Sequence, residues 1–93
     1  MTAPHKIPES AIDEIIARSA IHAWKEYDSC TVVTMRLPNG YVLVESSGCI
    51  DPAEYDHDLG VETCMKALKR RVWQLEGYRG KQAFHDAQEA EDA

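Results

Sequence analysis

The strongest constraint in the sequence is a β-hairpin signal near its middle. Residues 30–37, CTVVTMRL, are rich in β-branched side chains, and residues 41–46, YVLVES, form a second candidate strand. Asn39-Gly40 between them tolerates the positive φ angles that tight hairpin turns require. Both faces of this hairpin carry apolar residues. Because two strands alone are marginal in water, the hairpin needs helices, a third strand or a partner chain packed against it.

A first helix is predicted before the hairpin. Ser10 is the candidate N-cap, since its hydroxyl can accept a hydrogen bond from an exposed backbone N–H. From Ala11 to about Ile21 the apolar residues recur at helical spacing and lie on one stripe. Residues 22–27, which include Trp24, either extend this helix or begin a strand, and the sequence leaves both alternatives open.

A short helical turn and a long helix are predicted after the hairpin. Asp51-Pro52 is typical of a helix start, and Asp56 is a candidate cap for the longer helix, which we expect to end near Gly77. Gly60 inside this helix costs about 1 kcal/mol relative to alanine, which indicates close backbone packing. Apolar residues at intervals of three and four define an apolar stripe: Leu59, Val61, Cys64, Met65, Leu68, Val72 and Leu75.

These segments predict one α+β domain, an antiparallel β-hairpin packed by an N-terminal helix and a long C-terminal helix. We expect residues 1–9 to form a flexible arm, residues 10–79 the domain, and residues 80–93 an acidic, loose tail. A chain of 93 residues hides roughly two thirds of its unfolded surface on folding, enough for one modest core. Little room remains for a deep cleft, so a large cofactor enzyme is not expected.

The net charge and the cysteines narrow the class of protein. Sixteen acidic residues against ten basic ones give a net charge of −6, which disfavours general binding to nucleic acid. Three cysteines are an odd number in a short chain, so we expect free thiols in a reducing cytoplasm. The first residues lack the apolar core of a secretory signal, and no stretch approaches the roughly 20 apolar residues of a membrane span.

The most prominent charged feature is the run KALKRR at residues 66–71. Lys66, Lys69 and Arg70 share one face of the predicted helix and form a candidate anion-binding site for nucleic acid or a nucleotide. The simpler interpretation is a solvated helix face, partly paired with Glu62 and with acids of the hairpin. A third alternative is an interface with an acidic protein. The acidic stretches allow the opposite idea, a nucleic-acid mimic, although the interleaved bases count against it.

No residue pattern predicts catalysis or a metal site. Cys49, His57 and Cys64 come closest to a set of metal ligands, but their spacing matches no standard zinc motif. The carboxylates that flank His57 are expected at a helix start for capping and dipole reasons. We therefore expect no enzyme, no metal and no cofactor.

Two aromatic residues of the long helix are candidates for an interface. Trp73 lies off the main apolar stripe, and Tyr78 follows it at the predicted end of the helix. Aromatic side chains concentrate at protein interfaces, although a helical tryptophan is more often part of the core. Because the hairpin is apolar on both faces, we also expect the chain to form a homo-oligomer, with a dimer favoured.

Several short motifs occur in order between residues 39 and 78. They are NG followed by an aromatic residue, ES at a strand end, a D-P-x-x-aromatic-D loop with a later glycine, and a closing W-x-L-E-G-aromatic segment. These positions are Asn39, Gly40, Tyr41, Glu45, Ser46, Asp51, Pro52, Tyr55, Asp56, Gly60, Trp73, Leu75, Glu76, Gly77 and Tyr78. In these motifs the chain resembles a family of short proteins from tailed bacteriophages, of the Enquatro and Shigella phage type.

The resemblance implies a phage or prophage gene, the cytoplasm of a bacterial host and a non-structural accessory role. The predicted function is a non-catalytic module that binds a host or phage protein, for example in host takeover or against a defence system. The alternative is an anion-binding protein that uses Lys66, Lys69 and Arg70 on nucleic acid or a nucleotide.

Overall fold

The computed structural model describes residues 6–92 and confirms the α+β class. A three-stranded antiparallel sheet in the order β1-β2-β3 carries one short and one long helix. The elements along the chain are α1 (Glu9–Ala17), β1 (Ala20–Glu26), β2 (Cys30–Arg36), β3 (Val42–Gly48), a 3-10 turn (Pro52–Glu54) and α2 (His57–Asp92).

The first helix is shorter than predicted, and a third strand follows it. α1 ends at Ala17, whereas the sequence predicted helix to about Ile21. The predicted cap at Ser10 was also wrong, because the helix begins at Glu9 and Pro8 occupies the N-cap position. β1 pairs with β2 along its whole length, from Ala20 opposite Arg36 to Glu26 opposite Cys30. Of the two alternatives left open by the sequence, the strand is therefore the one that forms, over residues 20–26, because these residues pair with β2.

The hairpin forms where it was predicted, and its turn depends on one glycine. Gly40 N–H donates to the Leu37 carbonyl at 2.8 Å, and Gly40 has a φ of 94°. The Asn39 side chain supports the turn by accepting from the backbone N–H of Tyr41 at 3.0 Å. A type I turn followed by a residue in the left-handed region is a common three-residue hairpin loop. Of the two predicted turn residues, only Gly40 adopts a positive φ.

One face of the sheet is covered by α2 and forms the core. The predicted alternation along β2 is confirmed, because Thr31, Val33 and Met35 are all buried. Opposite them lie Cys64, Leu68 and Val72 of the predicted stripe, and α1 contributes a single fully buried side chain. Leu59 and Leu75 of that stripe are exposed, because the buried line of α2 runs through positions 60, 64, 68 and 72. The buried apolar set is Ile12, Val33, Met35, Leu37, Leu43, Cys64, Leu68 and Val72.

No element among residues 6–92 covers the other face. β1 is exposed at every position, and on this other face Trp24 is 40% exposed. Val42 and Val44 of β3 are also half exposed on the uncovered side. We call this surface the open face of the sheet, formed by β1 residues 20, 22, 24 and 26 and their neighbours on β2 and β3.

The predicted caps before α2 are confirmed. Asp51 Oδ1 accepts from the backbone N–H of Ala53 at 3.0 Å and starts the 3-10 turn. Asp56 Oδ1 accepts from the N–H of Leu59 at 3.1 Å and caps α2. Local capping signals therefore placed both starts correctly, because each depends only on residues within one helical turn.

α2 is longer than predicted. It does not end at Gly77 but continues to Asp92, and every residue from 77 to 92 is exposed. The molecule is accordingly elongated, with extents of 62 × 22 × 20 Å. Residues 80–92 thus continue the helix, and whether they are loose stays a prediction. Of the predicted arm, residues 1–5 lie outside the described residues and Glu9 already belongs to α1.

Gly60 is predicted to be essential for the close approach of α2 to β2. A Cβ atom built there would lie 2.7 Å from Thr31 Cβ and closer still to Thr31 Oγ1. We expect Gly60→Ala to lower the free energy of unfolding by about 1–3 kcal/mol, since the buried strand has no room to move aside. Urea denaturation of both proteins measures this difference.

The matched control is Gly77→Ala in the same helix. A Cβ atom at Gly77 meets no other atom within 4 Å. This substitution should raise stability by up to about 1 kcal/mol through helix propensity alone. A Gly60→Ala protein as stable as the wild type would contradict the packing argument.

Candidate functional site

The predicted anion-binding residues lie on α2 among acidic partners. Lys66 Nζ is 3.3 Å from Glu62 Oε1, one helical turn away. Lys69 Nζ is 2.9 Å from Asp13 Oδ1 and also contacts Glu9, so that it joins α1 to α2. Hydrogen bonds to Glu9 first and to Asp13 second raise the pKa of Lys69. Arg70 forms no ion pair or hydrogen bond with another described residue.

Two of the three bases are thus engaged within the chain. This matches the alternative in which the basic run is a solvated helix face, and the predicted pair with Glu62 is present. Anion binding by Lys66, Lys69 and Arg70 stays a prediction, since a ligand would compete with carboxylates for two of the three cations.

Arg71, the last base of the run, binds the sheet. Its Nη1 donates to the Val44 carbonyl at 2.9 Å and lies 3.6 Å from Glu45 Oε1. The predicted pairing of this run with an acid of the hairpin is therefore confirmed. The contact fastens the middle of α2 to β3 and uses one backbone acceptor of that edge strand.

The two candidate interface aromatics lie on different sides of α2. Five residues of helix separate their side chains by about 140°. Tyr78 is 74% exposed and follows Arg71 and Leu75 along one stripe of the helix. Trp73 is 38% exposed and lies on the side of Lys69, which binds α1. The structure therefore does not bring Trp73 and Tyr78 together.

A shallow groove lies between the hairpin end of β3 and α2. Leu43 lies at its floor, and Tyr78 extends it by one helical turn. The groove is lined by Tyr41, Leu43, Arg71, Gln74 and Leu75. We call these residues, together with the exposed Tyr78 that follows on α2, the hairpin-tip patch. It combines exposed tyrosine rings with an arginine, and tyrosine and arginine are residue types that anchor protein interfaces.

A hydrogen-bonded chain joins the sheet to the start of α2. Thr31 Oγ1 and Tyr55 Oη are 2.7 Å apart, and Tyr55 Oη is 2.9 Å from His57 Nδ1. Thr31 is fully buried, while Tyr55 and His57 are partly exposed. Lys25 Nζ lies 5.2 Å from the centre of the Tyr55 ring, which adds a cation–π contact from β1. The arrangement gives the buried Thr31 hydroxyl a hydrogen-bond partner and fixes the loop before α2 to the sheet.

The candidate metal ligands are dispersed. Cys64 is buried in the core, Cys49 Sγ contacts the Asp51 carbonyl, and His57 is bonded to Tyr55. Among residues 6–92 no three His, Cys, Asp or Glu residues are close enough to hold a metal ion. In the same part of the chain, no helix has the length and apolar character needed to cross a membrane.

Sequence reasoning missed several of these contacts. Glu9 and Asp13 gave no signal that they would bind Lys69, which is more than fifty residues away. The role of Tyr55 as partner of Thr31 was also not foreseen. The glycine at position 60 was the available clue, because it marked a place of close packing, which the structure shows to be against the Thr31 side chain.

Comparison with known proteins identifies a family. Residues 7–84 of the chain match the family model described as phage protein (N4 Gp49/phage Sf6 gene 66) family. No curated protein and no solved structure shows significant similarity to the chain.

Removing the Tyr55 hydroxyl should destabilise the fold. Tyr55→Phe leaves the buried Thr31 hydroxyl without its partner, which we expect to cost about 1–3 kcal/mol in the free energy of unfolding. The double variant Thr31→Val/Tyr55→Phe removes both polar groups and should recover most of the loss. Thermal and urea unfolding of the three proteins give the comparison, and equal stability of Tyr55→Phe and wild type would refute the role.

The three free thiols should differ in reactivity. Burial raises the pKa of the Cys64 thiol, and the nearby Glu45 carboxylate adds to this effect. Cys30 and Cys49 are partly exposed. Alkylation of the native protein, read by peptide mass spectrometry, should modify Cys30 and Cys49 first and Cys64 only after unfolding. Modification of all three at one rate would show that α2 opens readily from the sheet.

Proposed function

The chain belongs to the phage protein (N4 Gp49/phage Sf6 gene 66) family, and we propose that it is a non-catalytic accessory protein that binds another protein. The partner is a protein of the bacterial host or of the phage, and binding takes place in the host cytoplasm. Host takeover or the inhibition of a defence system is the proposed role of the complex.

The observation that carries this proposal is the hairpin-tip patch. Leu43 and Leu75 supply its apolar surface. Tyr41 and the guanidinium of Arg71 line the same groove, and the exposed Tyr78 follows it on α2. Truncating aromatic and arginine side chains in such settings often removes most of the binding energy of an interface. The patch is also rigid on one side, because Arg71 is held by Val44 and Glu45. A preformed surface loses little conformational entropy on binding.

The charges near the patch support a protein partner over a polyanion. The net charge of −6 repels nucleic acid at long range. The cations Lys66 and Lys69 are paired with acids of the same chain. The aromatic groups of the patch, in contrast, have exposed surface that a partner would bury.

The test is affinity capture of the tagged full chain from host cells, followed by titration of the captured protein. We expect one protein in a stoichiometric complex that survives high salt. Tyr78→Ala and Leu75→Ser should weaken the measured Kd about tenfold or more, because they remove apolar contact in the patch.

Two controls separate the alternatives. Tyr27→Asn removes another exposed tyrosine, in the turn between β1 and β2, and should leave the Kd unchanged. Lys66→Glu/Arg70→Glu should also bind normally. Loss of binding in that charge variant and in high salt, with normal binding by the patch variants, would support an anion ligand instead.

A further inference from the structure

β1 is an exposed edge strand of regular geometry. All seven of its residues pair with β2 in continuous register on the inner side. On the outer side, no strand or side chain of residues 6–92 bonds to its backbone. The strand contains no proline and no bulge, two of the devices that block such an edge. Its one lysine, Lys25, lies on the α2 side of the sheet and its ammonium group contacts the Tyr55 ring. The opposite edge differs, because Arg71 already occupies the Val44 carbonyl of β3.

We propose that β1 pairs with β1 of a second copy of this chain. The strands run antiparallel about a two-fold axis at Ala23 and join the two sheets into one of six strands. This register places Ala20 opposite Glu26 of the second copy and keeps all seven residues paired. Homodimerisation was expected from the apolar hairpin and Trp73. The sequence left residues 22–27 open between helix and strand, and the strand that they join supplies a different interface.

Charge complementarity favours this occupant. Arg36 of β2 lies beside Ala20 on the open face, and it makes no ion pair with another described residue. In the proposed register Glu26 of the second copy lies on the other side of Ala20. The two backbones are then about 10 Å apart, a gap that an arginine and a glutamate can close above a small alanine. Because of the two-fold symmetry, the dimer contains two copies of this ion pair.

The Glu26 carboxylate is already positioned for the contact. Trp24 Nε1 donates to its Oε2 at 2.9 Å, which leaves Oε1 available. In the next row His22 lies opposite Trp24 of the second copy, an aromatic cross-strand pair of the kind that stabilises sheets. The axis itself passes between two copies of Ala23, where no bulky side chain interferes.

The contact is limited in size, so the dimer is expected to be weak. A strand of seven residues is about 23 Å long and buries less than the roughly 800 Å² per partner of a stable interface. Dimerisation should therefore depend on concentration. Sedimentation equilibrium of the purified full chain between about 1 µM and about 1 mM covers the range in which such an equilibrium is visible.

Charge reversal tests the register. Glu26→Arg alone and Arg36→Glu alone each place like charges together twice, and each should weaken the dimer about tenfold or more. An equimolar mixture of the two variants restores both opposite-charge pairs and should form a heterodimer. The double variant Glu26→Arg/Arg36→Glu should recover the wild-type equilibrium. As controls, Glu54→Arg and Lys81→Glu change charge elsewhere and should leave the dimer unchanged.

Hydrogen exchange tests the pairing itself. Alternate amides of β1 should become protected as the concentration rises, since only outward N–H groups gain partners. A chain that stays monomeric up to about 1 mM overturns the proposal. So does a dimer without β1 protection, or β1 protection that appears only with another protein. This test uses the chain alone, so its failure would leave the proposed binding by the hairpin-tip patch unaffected.

Discussion

The structure depends on the close approach of α2 to β2 at Gly60. Only a residue without a side chain allows the helix backbone to contact Thr31. The buried side chains that follow along α2 pack against the same face of the sheet. Tyr55 completes the contact by bonding the buried Thr31 hydroxyl. From its contact with Thr31, α2 packs across β2 and β3, and its second half therefore extends beyond the sheet. The same placement leaves β1 and the open face uncovered.

Two basic residues of α2 join this helix to the rest of the fold. Lys69 holds α1, and Arg71 holds β3. Lys66 pairs with Glu62 of the same helix, whereas Arg70 forms no ion pair with another described residue. Anion binding by this run stays a prediction. The proposal of a protein partner rests on the exposed tyrosines of the hairpin-tip patch, where Arg71 both binds β3 and lines the groove.

The two proposed interfaces lie on opposite edges of the sheet. The hairpin-tip patch is next to β3, and the proposed dimer contact is along β1. A dimer formed through β1 would therefore keep both patches exposed and present two identical binding surfaces. Such an arrangement strengthens binding to an oligomeric partner through effective concentration, provided that both patches reach their sites together.

The sequence by itself determined the features that depend on near neighbours. The Gly40 turn, the caps at Asp51 and Asp56, the alternating face of β2 and the apolar stripe of α2 were all predictable. Each follows from steric or hydrogen-bonding preferences within a few residues, or from a regular period. The family resemblance was equally visible in the sequence, since its motifs include these turn and capping residues, and the family model matches residues 7–84.

Only the tertiary structure decided the features that join distant segments. The local sequence of residues 20–26 does not decide between helix and strand. These residues form a strand because all seven of them pair with β2. Lys69 was predicted to bind an anion, and the structure adds that α1 supplies it with two carboxylates from the other end of the chain. Trp73 and Tyr78 are neighbours in sequence but face different surroundings. In each case the deciding partner is remote in sequence, and its position follows only from how the elements pack.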